Sequence, residues 1–84
     1  MPPVTIYTRQ FCSYCHHALA LLKAKGVPLT EIEAGHDPDK RKEMISRSGR
    51  YTYPQIFIGE RHVGGCDDLV ALDGAGELDR MLAA

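Results

Sequence analysis

Residues 4–22 read VTIYTRQFCSYCHHALALL and contain the boundary that decides the fold. Val4–Thr8 is short and rich in β-branched and aromatic residues, a composition typical of a strand. From Cys15 onward, apolar residues recur every three or four positions, which predicts a helix with one buried face. The residues of that face are Cys15, Ala18, Leu19 and Leu22. Cys12 and Cys15 therefore lie where a strand gives way to a helix.

The next segments repeat this alternation of strand and helix. Gly26 and the proline at position 28 predict the end of the first helix, and Leu29–Glu33 predicts a second short strand. Asp37 is suited to be the N-cap of a second helix because Pro38 follows it, where a missing N–H costs nothing. This helix is expected to bury Met44 and Ile45 and to end near Gly49.

The C-terminal part predicts a hairpin followed by one more helical segment. Gln55–Ile58 and Arg61–Val63 flank the turn Gly59-Glu60, and Gly64-Gly65 is expected to break the second of these strands. Asp67 or Asp68 can cap the helix that follows. Its expected apolar residues are Leu69, Val70 and Leu72, with Leu78, Met81 and Leu82 closing the chain after interruptions at Gly74 and Gly76.

The order of elements, β-α-β-α-β-β-α, predicts an α/β fold. A first strand–helix–strand unit of this length should form a right-handed parallel crossover, and the hairpin should add antiparallel strands. We expect a four-stranded mixed sheet with helices on both faces, which is the thioredoxin-like architecture. Residues 1–84 are expected to form a single domain.

Composition excludes several classes of partner. The chain has 84 residues and a formal net charge of −1, so bulk electrostatics point to neither nucleic acid nor a membrane. The N-terminus shows no secretory signal and no apolar run approaches the roughly 20 residues of a membrane span. We therefore expect a cytoplasmic protein, in which thiols are kept reduced. Its three cysteines are expected to be reactive thiols and not structural disulfides.

The sequence C-S-Y-C-H-H allows more than one chemistry. C-x-x-C-H is also the signature of covalent haem attachment, but that chemistry goes with export and an all-helical chain. A closed zinc site needs four ligands, and no second C-x-x-C or H-x-x-x-H is present. A redox dithiol fits best, because C-x-x-C beside a βαβ unit is the pattern of thioredoxin-like redox proteins. An iron–sulfur cluster shared between two chains remains an alternative.

The place of the two cysteines assigns their roles. A helix N-terminus carries unpaired N–H groups and about half a positive charge, which stabilise an anion. Cys12 lies at that end and Cys15 lies one turn inside the helix. Because the thiolate is the reactive form, Cys12 is the expected nucleophile and Cys15 the resolving thiol.

Three motifs in order resemble those of the glutaredoxins, most of all their small bacterial dithiol type. They are Cys12-Ser13-Tyr14-Cys15, Thr52-Tyr53-Pro54 and Gly64-Gly65-Cys66-Asp67-Asp68, and the likeness covers essentially the whole chain. The resemblance implies a thiol–disulfide oxidoreductase that uses glutathione and reduces protein–glutathione mixed disulfides and protein disulfides. We also expect the protein to be a monomer.

The resemblance implies a glutathione site as well. The Tyr53–Pro54 bond is expected to be cis, and the backbone of Tyr53 to pair with the cysteine of glutathione. The N–H groups of Cys66 and Asp67 would receive one carboxylate of glutathione. The full expected set is Arg9, Tyr14, Thr52, Tyr53, Pro54, Gly65, Cys66 and Asp67, with Arg9 meeting the glycine carboxylate and Asp67 the ammonium group.

Two departures from the family pattern bear on function. Ser13 stands where the family usually has proline, which leaves the redox potential open. It also removes an obstacle to a [2Fe–2S] cluster bridging two chains through Cys12. Tyr53 replaces the valine of T-V-P and is expected to narrow the groove or to stack beside a substrate. The sequence assigns no role to the third thiol, Cys66.

Overall fold

The computed structural model describes all 84 residues and contains four strands and four helices. The strands are β1 Val4–Thr8, β2 Leu29–Glu33, β3 Gln55–Ile58 and β4 Arg61–Gly64. The helices are α1 Ser13–Ala24, α2 Pro38–Ser48, α3 Cys66–Gly74 and α4 Glu77–Ala83. None of these helices combines the length and the apolar character that crossing a membrane requires.

The strands form one mixed sheet in the order β2-β1-β3-β4. β1 and β2 run parallel, with Val4 opposite Leu29, because the helix α1 connects them as a crossover. β3 runs antiparallel to both β1 and β4. The expected four-stranded mixed sheet of the thioredoxin-like fold is confirmed.

The sheet separates two apolar clusters, because successive side chains of a strand point to opposite faces. One face carries Val4 and Ile6 and packs against α1, α3 and α4. The other face carries Tyr7 and Phe57 and packs against Met44 of α2. Helices therefore cover both faces, as the element order predicted.

The ends of the first two helices follow the local signals. Gly26, just after α1, and Gly49, at the end of α2, adopt left-handed φ values of 68° and 70°, which glycine reaches without a steric penalty. Asp37 caps α2 as expected: its carboxylate accepts hydrogen bonds from the backbone N–H groups of Asp39 and Lys40. Both helix boundaries are thus local properties of the chain.

The C-terminal helical segment differs from the expectation of one helix. α3 ends at Gly74, and Gly76, at φ 76°, turns the chain into the separate helix α4. Lys25, at the end of α1, bridges the break with Nζ contacts of 2.7 Å to Asp73 and 2.9 Å to Asp79. These carboxylates raise the pKa of Lys25, their hydrogen bonds being the main cause.

One further detail of this segment corrects the expectations. Val70 is 42% exposed and so lies outside the core, because it is turned about 100° around the axis of α3 from its buried neighbour Leu69. The strand β4 ends at the Gly64-Gly65 pair as expected, with Gly64 as its last residue.

Candidate active site

The dithiol lies at the N-terminus of α1, where the sequence placed it. Cys12 is the N-cap, with extended backbone angles, and Cys15 is in the first turn. The two Cα atoms are 5.2 Å apart, and the two sulfurs are at disulfide distance. Cys12 is 3% exposed and Cys15 is 2% exposed.

The end of α1 is suited to hold a negative sulfur. The backbone N–H of Cys15 donates a hydrogen bond to Cys12 Sγ at 3.2 Å. No acidic side chain occupies the first turn of α1, so none opposes the positive end of the helix dipole. The reduced form of Cys12 can therefore be stabilised as a thiolate by the same N–H group.

A cleft of about 270 Å³ lies beside this helix end. Its lining residues come from α1, from the segment between α2 and β3, and from the start of α3. They are Tyr14, Arg50, Thr52, Tyr53, Pro54, Gly65, Cys66, Asp67 and Asp68. All but one of the residues expected to bind glutathione are thus brought to one cleft.

The remaining expected residue, Arg9, lies elsewhere. Its exposed side chain lines a neighbouring cleft with residues of β1 and β2, and its guanidinium donates to the carbonyl of Gln10 at 3.2 Å. Arg9 is thus not among the residues that line the cleft of Thr52 and Asp67, although its exposed side chain lies only three residues before Cys12. Tyr14, by contrast, is 62% exposed and forms one wall of that cleft.

The Thr52-Tyr53-Pro54 segment forms the opposite wall, and the Tyr53–Pro54 bond is cis as expected. The ring of Tyr53 also packs against the second apolar cluster, beside Tyr7 and Phe57. Its hydroxyl is buried and has no hydrogen-bond partner. Tyr53 thus both lines the cleft and closes the core beneath it.

The start of α3 forms the floor of the cleft. A Cβ on Gly65 would lie 3.4 Å from the carbonyl oxygen of Pro54, so the two backbones approach closely here. Gly65 is the N-cap, which corrects the expectation that Asp67 or Asp68 caps α3. The Asp68 carboxylate instead reaches back from the third helical position and accepts a hydrogen bond from Gly65 N–H at 2.9 Å.

Arg50 is a cleft residue for which the sequence carried little signal. Its guanidinium contacts Asp68 at 3.1 Å and joins the segment after α2 to the start of α3. The hydrogen bond from Gly65 and the charge of Arg50 together lower the pKa of Asp68. The only sequence signal was the position of Arg50 two residues before Thr52. Its pairing with Asp68, 18 residues away, arises only from the tertiary structure.

The third thiol, that of Cys66, is buried. Cys66 is unpaired and 6% exposed. Burial raises the pKa of the Cys66 thiol, and the nearby charge of Asp67 raises it further. We therefore expect Cys66 to be a weak nucleophile, and its backbone N–H, in the first turn of α3, is the group available to a ligand.

The residues of one chain do not fit a metal site. No group of three or more His, Cys, Asp or Glu side chains could hold a metal ion. A bridging [2Fe–2S] cluster would take Cys12 from each of two chains and the thiolates of two glutathione molecules, and Cys12 is buried here beside Cys15. The cluster stays a prediction for the reduced protein.

Comparison with known proteins agrees with this geometry. The glutaredoxin family model matches residues 4–63. Glutaredoxin 3 of Escherichia coli strain K12 is 56% identical over 82 residues, which are 98% of this chain and 99% of that protein.

Solved structures agree as well. The solution structure of a glutaredoxin from Brucella melitensis has a TM-score of 0.85 at 57% identity, covering 98% of this chain and 89% of its own. The crystal structure of a buckwheat glutaredoxin–glutathione complex has a TM-score of 0.86 at 28% identity, covering 98% and 77%. This chain belongs to the glutaredoxin family, the glutathione-dependent thiol–disulfide oxidoreductases.

Proposed function

We propose that the cleft between Tyr14, Thr52–Pro54 and the start of α3 is the glutathione seat of this oxidoreductase. The observation that carries the proposal is the convergence of those three segments beside the N-terminus of α1. A related glutaredoxin has been solved in complex with glutathione, which supports the same ligand here. Residues 1–84 would act as one domain and as a monomer, since one chain supplies both the dithiol and the cleft.

The charges of the cleft suit the ends of glutathione. The N–H groups of Cys66 and Asp67 belong to the first turn of α3, where backbone donors lack helical partners and attract a carboxylate. The exposed Asp67 carboxylate would meet the neighbouring ammonium group. The glycine carboxylate would be met by Arg50, within the cleft, and by Arg9, whose long exposed side chain lies to one side.

The reduction of a glutathionylated protein then proceeds in two displacements. The Cys12 thiolate attacks the glutathione sulfur of the mixed disulfide; a Cys12–glutathione disulfide forms, and the protein thiolate leaves and takes up a proton. A second glutathione thiolate attacks the same glutathione sulfur, releasing glutathione disulfide and restoring the Cys12 thiolate. Cys15 is not needed for either step.

Protein disulfides would use both cysteines. Cys12 attacks one sulfur of the substrate, forming a mixed disulfide and releasing the other substrate sulfur as a thiol. Cys15 then attacks Cys12 Sγ, which releases the reduced substrate and leaves the Cys12–Cys15 disulfide that the structure contains. Two glutathione molecules return this disulfide to the dithiol, and we place the reaction in the cytoplasm because its glutathione pool is reducing.

The test is an assay of glutathione-dependent reduction of a glutathionylated peptide. Turnover is expected with glutathione and glutathione reductase as the only source of electrons. Turnover that instead required a thioredoxin-type flavoprotein reductase would favour a general disulfide reductase and contradict the proposal.

A further inference from the structure

The Gln55 side chain is a fully buried polar group in contact with the cleft wall. It is 0% exposed and is the first residue of β3, directly after the cis proline. Its Nε2 atom lies 3.0 Å from the carbonyl oxygen of Thr52 and 3.1 Å from Thr52 Oγ1. Its Oε1 atom lies 2.8 Å from Nε2 of His62, on β4. A continuous chain of hydrogen bonds thus runs from β4 to the cleft.

The direction of each hydrogen bond is fixed by chemistry. A carbonyl oxygen can only accept, so the amide nitrogen of Gln55 must face Thr52 and the amide oxygen must face His62. That oxygen also only accepts, and His62 Nε2 must therefore carry the hydrogen. The Thr52 hydroxyl oxygen accepts from Gln55, which leaves its own hydrogen available to a ligand in the cleft.

His62 is itself held in place. It lies opposite Phe57 in the β3–β4 pairing, and the two rings are 4.9 Å apart. The Arg47 guanidinium lies 4.1 Å from the centre of the Phe57 ring. The His62 end of the hydrogen-bond chain is therefore packed against a side chain that is itself held in place. Burial, together with the charge of Arg50, lowers the pKa of His62, which is consistent with a neutral ring donating through Nε2.

We propose that His62 and Gln55 are positioning residues for the glutathione seat. Through Gln55, the Nε2–H group of His62 fixes the carbonyl and hydroxyl of Thr52 and thereby the backbone of Tyr53, on which the cysteine of glutathione would dock. This inference rests on the proposed glutathione seat. Its distinguishing feature is that a hydrogen-bond chain through the fully buried Gln55 ends on an exposed cleft residue rather than within the core.

Three variants test the proposal. His62→Leu removes the donor and leaves Gln55 Oε1 unsatisfied, His62→Gln keeps an N–H donor, and Gln55→Glu replaces the donor to Thr52 by an acceptor. The readouts are KM for a glutathionylated peptide, the alkylation rate of reduced Cys12 by iodoacetamide, and the ¹⁵N shift of the Tyr53 amide in the ligand-free protein.

The expected result separates binding from thiol reactivity. His62→Leu and Gln55→Glu raise KM about fivefold or more, which corresponds to about 1 kcal/mol, while Cys12 alkylation stays at the wild-type rate. The Tyr53 amide shift changes in both variants. His62→Gln restores KM and the shift to near the wild-type values.

Other results would overturn the proposal. These are a wild-type KM in His62→Leu, a His62→Gln variant as poor as His62→Leu, or a parallel loss of Cys12 alkylation, which would indicate a merely structural role. Failure of the glutathione proposal is recognisable separately, as wild-type protein without glutathione-dependent turnover. In that case an unchanged Tyr53 amide shift in His62→Leu still overturns the positioning role, and a changed shift supports it.

Discussion

The backbone N–H of Cys15 donates a hydrogen bond to the sulfur of Cys12 at 3.2 Å, so the expected nucleophile is also the N-cap of α1. In most helices this place is taken by an oxygen of Ser, Thr, Asp or Asn. A thiolate there satisfies an otherwise unpaired N–H group and gains from the helix dipole. The spacing C-x-x-C thus serves two ends: it brings two sulfurs within bonding distance and lets the helix start stabilise the reactive one.

In the reduced protein, the thiols of Cys12 and Cys66 should differ strongly in reactivity. At pH 7, Cys12 is expected to be alkylated by iodoacetamide about tenfold or more faster than Cys66. Cys12 has a helix end to stabilise its thiolate, whereas burial and Asp67 raise the pKa of Cys66. Peptide mass spectrometry over a time course measures both rates. Equal rates, or faster labelling of Cys66, would contradict the assignment of Cys12 as nucleophile.

The two cysteines of the dithiol should separate the two reactions. Cys15→Ser is expected to retain reduction of a glutathionylated peptide and to lose reduction of protein disulfides, because only the second reaction needs a resolving thiol. Cys12→Ser should lose both. Steady-state assays on the two substrates measure this, with Glu60→Gln, in the exposed β3–β4 turn, as the control that keeps both activities. Loss of both activities in Cys15→Ser would rule out the monothiol route.

The charged ends of glutathione should be visible in KM. Asp67→Ala, Arg50→Ala and Arg9→Ala are each expected to raise KM for a glutathionylated peptide by about 1.4-fold to fivefold, since an exposed charge contact contributes about 0.2–1 kcal/mol. Arg80→Ala, on α4 and paired only with Glu77, is the control and should leave KM unchanged. An arginine variant with the wild-type KM would remove that arginine from the seat.

Removal of the buried Tyr53 hydroxyl should not cost stability. Tyr53→Phe is expected to leave the free energy of unfolding unchanged or to raise it by up to about 1 kcal/mol, because the hydroxyl is buried without a partner. Urea denaturation measures the change, and Tyr51→Phe, at a side chain 71% exposed, is the control. A loss of more than about 1 kcal/mol would show that the hydroxyl makes a stabilising bond.

The Asp68 carboxylate should make stability depend on pH in one direction. Gly65 N–H and Arg50 lower its folded-state pKa, so its contribution is complete above the unfolded-state value of about 3.9 and is lost as pH falls through the folded value. Asp68→Asn should therefore be less stable than wild type at pH 7, by about 0.2–1 kcal/mol for this half-exposed pair, and the difference should shrink toward pH 3.

Urea denaturation at pH 7 and pH 3 checks this expectation, with Glu60→Gln in the exposed β3–β4 turn as the control. A difference between Asp68→Asn and wild type that grew toward acid would contradict the sign.

The cleft illustrates how far sequence patterns reach. Thr52, Tyr53 and Pro54 were predicted to bind glutathione together with Gly65, Cys66 and Asp67, because each motif resembles one of known role. Arg50 and the His62–Gln55–Thr52 chain carried no comparable signal, since an arginine, a histidine or a glutamine at those positions reads as an ordinary polar residue. Their roles arise from contacts between β4, β3 and the segment after α2, which no local pattern specifies.

The sequence by itself determined the elements whose signals are local. The strand Val4–Thr8, the helix start at Cys12 and the caps at Asp37 and Gly49 follow from β-branched composition, helical periodicity and turn chemistry. The resemblance of three motifs determined the family. These features depend on residues within about one helical turn of each other, so the linear pattern contains them.

Only the tertiary structure decided which distant groups meet. It joined α3 and α4 across the break at Gly76, where Lys25 at the end of α1 contacts Asp73 and Asp79. It also paired Arg50 with Asp68 and placed Arg9 beside a different cleft. Such pairings depend on how packed elements bring together side chains that are far apart in the sequence. The free energy of each pairing is set by burial and by neighbouring charges, which exist only in the folded chain.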